Sequence, residues 1–207
     1  MGLTAEALRT ALDALGAIEP AIADAVARVG YPEPRSRAPG YETLLRTIVG
    51  QQVSVGAANA IWNRLAAGVG ADLSPPALLA APEEMLRSAG LSRQKISYAR
   101  SLAEEVGSGR LDLAALPADD EAAIAALTAV RGIGRWSAEI YLLFAEGRPD
   151  VWPAGDLAVQ VEAGRLLGLA ERPGEPATRA LAERWRPHRG AAAIFLWHHY
   201  GAMKNPV

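Results

Sequence analysis

Apolar residues recur at three- and four-residue spacing along most of this 207-residue chain. This spacing places apolar side chains on one face of an α-helix, and the alternating pattern of strands is hard to find. The sequence therefore predicts an all-α protein. The runs that carry the pattern are residues 6–18, 41–49, 56–69, 82–90, 95–106, 119–130 and 157–169.

Two extended, proline-rich connections, residues 29–38 and 148–154, interrupt the helical pattern. Proline disfavours a helical conformation at the residue before it, so such segments favour connections. They predict a single domain, residues 1–207, built from two helical lobes. One lobe would span about residues 39–148, with a hairpin at 119–145, and the other would combine residues 1–30 with 151–207.

Composition limits the chemistry that this chain can carry. It contains no cysteine, which excludes disulfides, cysteine-ligated zinc and thiolate-held iron–sulfur clusters and suits a reducing cytoplasm. No long uncharged apolar window and no basic-then-apolar N-terminus is present, so we expect a soluble, cytoplasmic protein without a membrane partner. The net charge is −2, so any polyanion site must be built locally.

Gly132 and Gly134, separated only by Ile133, lie between two apolar helical runs. Because glycine inside a helix costs about 0.5–1 kcal/mol relative to alanine, these residues predict a tight turn between two helices. An ordinary helix C-cap would explain one glycine, and a dinucleotide-binding loop is excluded because no strand precedes the pair. Two residues without Cβ allow backbone N–H groups at the next helix N-terminus to approach an anion, which indicates a phosphate site.

Asp156 follows Pro-Ala-Gly at the start of another helical run. An aspartate in this place is typical of an N-cap. It also lies 20 residues after Trp136, beyond a helix and a connection, so the returning chain can bring it to the hairpin. The residues alone leave both interpretations open, and the other nearby acids, Glu139, Glu146 and Asp150, are interpreted as a solvated surface.

Two segments, LTAVRGIGRWSA (127–138) and WPAGDLAVQ (152–160), resemble the hairpin and the Pro-x-x-Asp segment of the helix-hairpin-helix DNA glycosylases. The similarity continues in residues 48–58, 90–106 and 183–200, and the DNA-3-methyladenine glycosylase II branch is the most similar. This resemblance implies a two-lobed helical fold with the active site in the cleft between the lobes. It also implies base excision repair by a monomer that hydrolyses the N-glycosidic bond of alkylated purines flipped out of double-stranded DNA.

The resemblance assigns roles to individual residues. It implies that Asp156 is the catalytic carboxylate and that Trp136, Trp197 and Gln51 line the base pocket. It further implies DNA contacts from Gly132, Gly134, Ser137 and Gln52. Gln52 occupies the position of the intercalating wedge, where leucine is commoner, and Gly50 should end the preceding helix and present both glutamines at a bend. No cofactor is implied, although a structural Na⁺ or K⁺ could bind the backbone carbonyls of Thr128, Val130 and Ile133.

Trp136 distinguishes between two mechanisms. Bifunctional relatives carry a lysine at this hairpin position, which forms a Schiff base with the sugar, whereas this chain has lysine only at positions 95 and 204. We therefore expect a monofunctional hydrolase. His198 and His199 are interpreted as structural or surface residues. The alternatives are a non-catalytic helix-hairpin-helix DNA-binding module and a bifunctional glycosylase/lyase. A mismatch glycosylase with an iron–sulfur cluster is disfavoured by the missing cysteines.

Overall fold

All the regular structure of this protein is helical in the computed structural model, which describes residues 2–70 and 73–204. No strand occurs in these ranges, so the prediction of an all-α fold is confirmed. The α-helices are α1 (Ala5–Ile18), α2 (Pro20–Val29), α3 (Tyr41–Gly50), α4 (Val55–Val69), α5 (Pro75–Ala80), α6 (Glu83–Ser88), α7 (Arg93–Gly107), α8 (Asp120–Thr128), α9 (Arg135–Tyr141), α10 (Leu157–Leu166), α11 (Glu175–Leu181) and α12 (Arg189–Lys204). A π-helical turn (Leu142–Glu146) continues α9, and a 3₁₀ turn (Ala182–Trp185) precedes α12.

Several helices begin where a short polar side chain caps them. Thr4, Ser54, Ser92 and Asp119 each accept a hydrogen bond from the backbone N–H three residues later. These bonds satisfy N–H groups that have no partner inside the helix. The hairpin that the sequence predicts from residue 119 therefore begins there, with Asp119 as the N-cap of α8. Among the described residues, no helix is long and apolar enough to cross a membrane.

The chain divides into two compact units, Met1–Arg37 with Leu142–Val207, and Ala38–Tyr141. The boundary at which the chain returns to the first unit lies between Tyr141 and Leu142. The sequence predicted this boundary at the proline-rich connection that begins at residue 148. The helical path through α9 does not stop before that connection, because it continues as the π-helical turn. Residues 142–145 are buried and belong to the first unit, where the Phe144 carbonyl accepts the Arg37 N–H.

The first unit packs α12 against α1, α2 and α10. Helix α10 is tied to α12 by a buried polar pair, in which His199 Nδ1 lies 2.6 Å from Glu162 Oε1. His199 is 3% exposed and Glu162 is 0% exposed, and Arg165 also bonds to the Glu162 carboxylate. A buried carboxylate is tolerated when it is bonded in this way. The pair fixes the register of α10, whose N-cap is Asp156, against α12, which carries Trp197.

The second unit is organised around α7, which packs against α3, α5 and α6. Its core contains leucines and isoleucines with almost no exposed surface, including Leu44, Ile48, Leu65, Leu78 and Leu102. Helices α8 and α9 pack on each other as the predicted hairpin, and α9 also contacts α3. Thus α7, the hairpin and the end of α3 are held by one core.

Candidate active site and hairpin

The residues predicted from the sequence to act on DNA fall into two groups, one in each unit. Asp156 and Trp197 belong to the first unit, and the two side chains are hydrogen-bonded. The second unit holds the hairpin glycines, Ser137, Trp136 and the two glutamines Gln51 and Gln52.

The hairpin turn fits against α7 because Gly132 has no side chain. Gly132 adopts a φ of +89°, a left-handed conformation that residues with a Cβ rarely adopt. A Cβ at this position would also overlap the aromatic ring of Tyr98 on α7. Arg131 continues the contact, since its backbone N–H bonds to Ser101 Oγ and its guanidinium bonds to Ser97 Oγ. Gly132 therefore serves packing as well as turn formation.

Gly134 differs from Gly132, because a Cβ added to it would meet no atom within 4 Å. It precedes α9, and its carbonyl accepts the Ala138 N–H in the first turn of that helix. Ile133 is buried between the two glycines, whereas Gly134 is exposed. The N-terminus of α9 is consequently bare of side-chain atoms at Gly134, which suits the close approach of an anion. Ser137 lies in this first turn with a buried side chain.

The nearest cation to this helix start is engaged in ion pairs. Arg135 bonds to Glu121 at 2.8 Å and to Glu139 at 2.9 Å, and the hydrogen bond with Glu121 is the largest cause that raises the Arg135 pKa. Glu139 is only 1% exposed, so its interpretation as a solvated surface acid was wrong. The available signal in the sequence was the i,i+4 spacing, which places Arg135 and Glu139 next to each other on one helix face.

The other two acids also have cationic partners. Glu146 bonds to Arg148, and Asp150 bonds to Arg186 and Arg189. Their side chains are 22% and 17% exposed, so neither is a freely solvated surface acid. These ion pairs indicate a structural role for both carboxylates. Among the described residues, no group of three or more His, Asp and Glu side chains could hold a metal ion.

A turn of three residues, Gln51–Val53, and the N-cap residue Ser54 link α3 to α4. Helix α3 ends at Gly50, as the sequence predicted, but the left-handed residue is Gln52, with a φ of +56°. Gln52 is exposed, whereas Gln51 turns inward and its Nε2 donates to the Gly132 carbonyl at 2.8 Å. The turn and the hairpin are therefore joined directly, a connection that the sequence did not reveal.

Trp136 lies in the first turn of α9 and is 47% exposed. Helical spacing places it on one face with Ile140, Leu143 and Phe144, but those three side chains are buried. A large apolar side chain half open to solvent at a helix start is unusual for a core residue, and such exposure favours a binding role.

Asp156 is the N-cap of α10, and its carboxylate is positioned by two donors. Oδ1 accepts the Val159 N–H and the Trp197 indole N–H, both at 3.0 Å. The first bond is ordinary capping, whereas the second joins α10 to α12 and serves no capping purpose. Hydrogen bonds to an ionised acceptor are stronger than neutral ones. The interpretation of Asp156 as an N-cap is thus compatible with its interpretation as a carboxylate of the site.

The loop before Asp156 is fixed by a buried glutamine that sequence reasoning missed. Gln160 Nε2 donates to the Ala154 carbonyl at 2.8 Å, and Arg172 donates to Gln160 Oε1 at 2.8 Å. The Asp156 N–H itself bonds to the Pro153 carbonyl, which closes a tight turn. A polar residue on the apolar side of α10 was the available signal, and one of its partners, Arg172, lies 12 residues later.

Trp197 also borders a cavity of about 180 Å³ within the first unit. Its ring centroid lies 5.7 Å from that of Phe144, and Ile194 and Pro32 complete the apolar lining. His198 lines the same cavity and lies 3.0 Å from the Val29 carbonyl. Phe144 was not predicted as a site residue, because its helical position indicated only core packing.

Comparison with known proteins agrees with this geometry. Residues 45–187 match the model of the HhH-GPD superfamily base excision DNA repair protein. The chain is 35% identical to DNA-3-methyladenine glycosylase 1 of Schizosaccharomyces pombe, over 76% of this chain and 71% of that protein. It is 31% identical to DNA-3-methyladenine glycosylase 2 of Escherichia coli, over 86% and 65% of the two chains.

A solved structure shares the fold over nearly its whole length. It is the Schizosaccharomyces pombe 3-methyladenine DNA glycosylase in complex with abasic DNA, with a TM-score of 0.79 and 30% identity. The match covers 95% of this chain and 98% of that one. The family model, these relatives and the shared fold agree with the hairpin and the Pro-x-x-Asp segment, and the chain belongs to the HhH-GPD superfamily of base excision DNA repair proteins.

Proposed function

We propose that this protein is a monofunctional DNA glycosylase that hydrolyses the N-glycosidic bond of alkylated purines of the 3-methyladenine type in double-stranded DNA. The observation that carries the proposal is the Asp156 carboxylate, held at Oδ1 by the indole N–H of Trp197. The names of relatives that act on 3-methyladenine support the same substrate class.

Asp156 acts on the sugar. As the C1′–N bond breaks, its electron pair leaves with the base, and C1′ acquires positive charge. A fixed carboxylate stabilises that charge, and its effect is largest where its position is preset. Water then adds to C1′ and loses a proton to the carboxylate and finally to solvent. A cationic alkylated base becomes neutral as it leaves, so it needs no strong general acid.

The hairpin binds DNA through one phosphate. The start of α9, bare at Gly134, offers backbone N–H groups and the positive end of a helix dipole. The implied monovalent cation would use the carbonyls of Thr128, Val130 and Ile133. The Val130 carbonyl already accepts the Ile133 N–H at 3.1 Å, which leaves its second lone pair for an ion. Such an ion would add positive charge beside the phosphate.

Extrusion of the base leaves a gap in the stack that a side chain must fill. Gln52 is the proposed wedge, since it is exposed on a short turn and carries the left-handed backbone conformation. Gln51, which the sequence assigned to the base pocket, bonds to the hairpin and supports this turn. Trp136 and Trp197 are proposed to contact the extruded base.

The test of the proposed function is base release. Incubation with methylated duplex DNA should release modified purines and leave abasic sites without strand cleavage. Borohydride should trap no covalent protein–DNA adduct, because the hairpin position of the nucleophilic lysine is Trp136. A DNA-binding module would release no base, and a glycosylase/lyase would cleave the strand and be trapped.

Asp156→Asn should abolish base release while DNA binding persists. Asparagine keeps an Oδ1 acceptor for both N–H donors, so the cap and the bond to Trp197 remain. Only the negative charge is lost, and we expect the single-turnover rate to fall by about a thousandfold or more, as when a fixed electrostatic group is removed. A tenfold change in rate corresponds to about 1.4 kcal/mol in activation free energy. Excision within about threefold of wild type would therefore be too small a loss and would exclude Asp156 as the catalytic group.

The two hairpin glycines should respond differently to substitution. Gly134→Val should leave the melting temperature near that of wild type and weaken binding to duplex DNA about equally for all sequences and lesions, because phosphate contacts carry no base identity. Gly132→Val should lower the melting temperature, since its side chain would overlap Tyr98. Unchanged affinity of a folded Gly134→Val variant would place the phosphate anchor elsewhere.

Trp136→Ala and Trp197→Ala should each reduce excision of cationic methylated purines more than excision of neutral hypoxanthine. A cation over an indole gains about 0.5–2 kcal/mol, and a neutral base gains only stacking and burial. Trp197→Phe separates the two roles of that residue, because it keeps an aromatic ring but loses the N–H to Asp156. Equal losses on both substrates would mean that the rings only shape the pocket.

A further inference from the structure

Helix α7 carries contacts to both parts of the proposed DNA-binding surface in the second unit. Tyr98 packs against Gly132 of the hairpin turn. One turn earlier on the same helix face, Lys95 Nζ donates to the Val49 carbonyl at 2.7 Å. Val49 is the penultimate residue of α3 and lies two residues before the start of the Gln51–Val53 turn. The same helix therefore supports the hairpin turn and the turn that presents Gln52.

The Lys95 contact is a helix cap supplied from a distant element. The last carbonyls of a helix lack intrahelical partners, and a cation near them is favoured by the helix dipole. Here the donor comes from 46 residues further along the chain. The side chain is partly buried, and desolvation lowers the Lys95 pKa, so the ammonium is removed from part of its water to make this bond.

The turn after this cap is strained. Gln52 has a φ of +56°, which costs a residue with a Cβ more than glycine and persists only where the surroundings impose it. The bond of Lys95 holds the residues before the turn, the bond of Gln51 to the Gly132 carbonyl holds its first residue, and Ser54 caps α4 directly after it. The turn is thus fixed on both sides, with Gln52 and its neighbour Val53 exposed.

We propose that Lys95 is a positioning residue for base extrusion, which fixes the end of α3 so that the Gln52 turn keeps its place relative to the phosphate-binding hairpin. The proposal rests on the proposed function. Lys95 does not contact the reacting atoms. Its contribution is needed only where a protein side chain must take the place of a stacked and paired base. A wedge whose position is already fixed loses less conformational entropy when it enters the gap.

The test compares two duplexes that differ only opposite the lesion. Both carry 7-methylguanine, opposite cytosine in one and opposite a tetrahydrofuran abasic analogue in the other. Lys95→Met removes the donor and keeps the length of the side chain. We expect it to reduce single-turnover excision about tenfold from the paired duplex and less than about threefold from the unpaired one, where no base pairing opposes extrusion. Equal losses on both duplexes, or no loss, would overturn the proposal.

Three controls make the comparison specific. Lys204→Met alters the other lysine, which lies over the Tyr200 ring in the first unit, and should change neither rate. Lys95→Arg retains a cationic donor and should recover much of the paired-duplex rate. In a Gln52→Gly background, Lys95→Met should cost less than about twofold on the paired duplex, because residues that act through each other are not additive. A full tenfold loss in that background would overturn the coupling.

A fluorescence readout separates this proposal from the proposed function. 2-Aminopurine placed beside a tetrahydrofuran site should brighten when wild-type protein binds and unstacks it, and Lys95→Met should reduce this signal at saturating protein. The measurement needs no chemistry, so absent base release by the wild type would contradict the proposed function alone. An unchanged signal in the variant would contradict the role of Lys95. If Lys95→Met does not fold, the same two outcomes are measured with Lys95→Ala, which also lacks the donor to the Val49 carbonyl.

Discussion

The ends of helices, where backbone groups lack intrahelical partners, determine where the proposed functional residues of this protein lie. Asp156 caps α10, Gly134 precedes α9, and Gln51 and Gln52 follow α3. Each end must find bonds outside its own helix or face water. An all-helical chain therefore places its reactive and binding groups at these ends. The same unsatisfied N–H groups that require caps can bind an anion, so folding and phosphate binding rely on one physical property.

This property also explains how a chain of net charge −2 can hold a polyanion. Arginine side chains near the hairpin and the catalytic segment are engaged within the fold. Arg135 pairs with Glu121 and Glu139, and Arg189 pairs with Asp150. The proposed phosphate contact uses backbone N–H groups, which carry no net charge and need no long side chain to be ordered. In the proposed phosphate site a local dipole takes the place of a basic surface, which is the kind of local site that the charge balance predicts.

Buried and partly buried polar side chains set the positions of the proposed functional elements within each unit. In the first, Gln160 holds the loop before Asp156, and His199 holds α10 to α12 through Glu162. In the second, Lys95 and Gln51 hold the turn that presents Gln52. Each would cost free energy if its partner were lost, because a buried polar group without a partner is destabilising. The free energy that would be lost with each bond therefore holds the element that the side chain contacts in one position.

The sequence by itself determined the all-helical class, the helices α1, α3, α4, α6, α7, α8 and α10, the hairpin and the resemblance carried by the glycines and the Pro-x-x-Asp segment, because these depend on residues within a few positions of each other. The tertiary structure decided the rest. The sequence could not show that Gly132 accommodates Tyr98 or that Trp197 donates to Asp156. It also could not show that Lys95 caps α3. Most of these contacts join residues more than 30 positions apart, and local periodicity carries no information about which distant groups will meet.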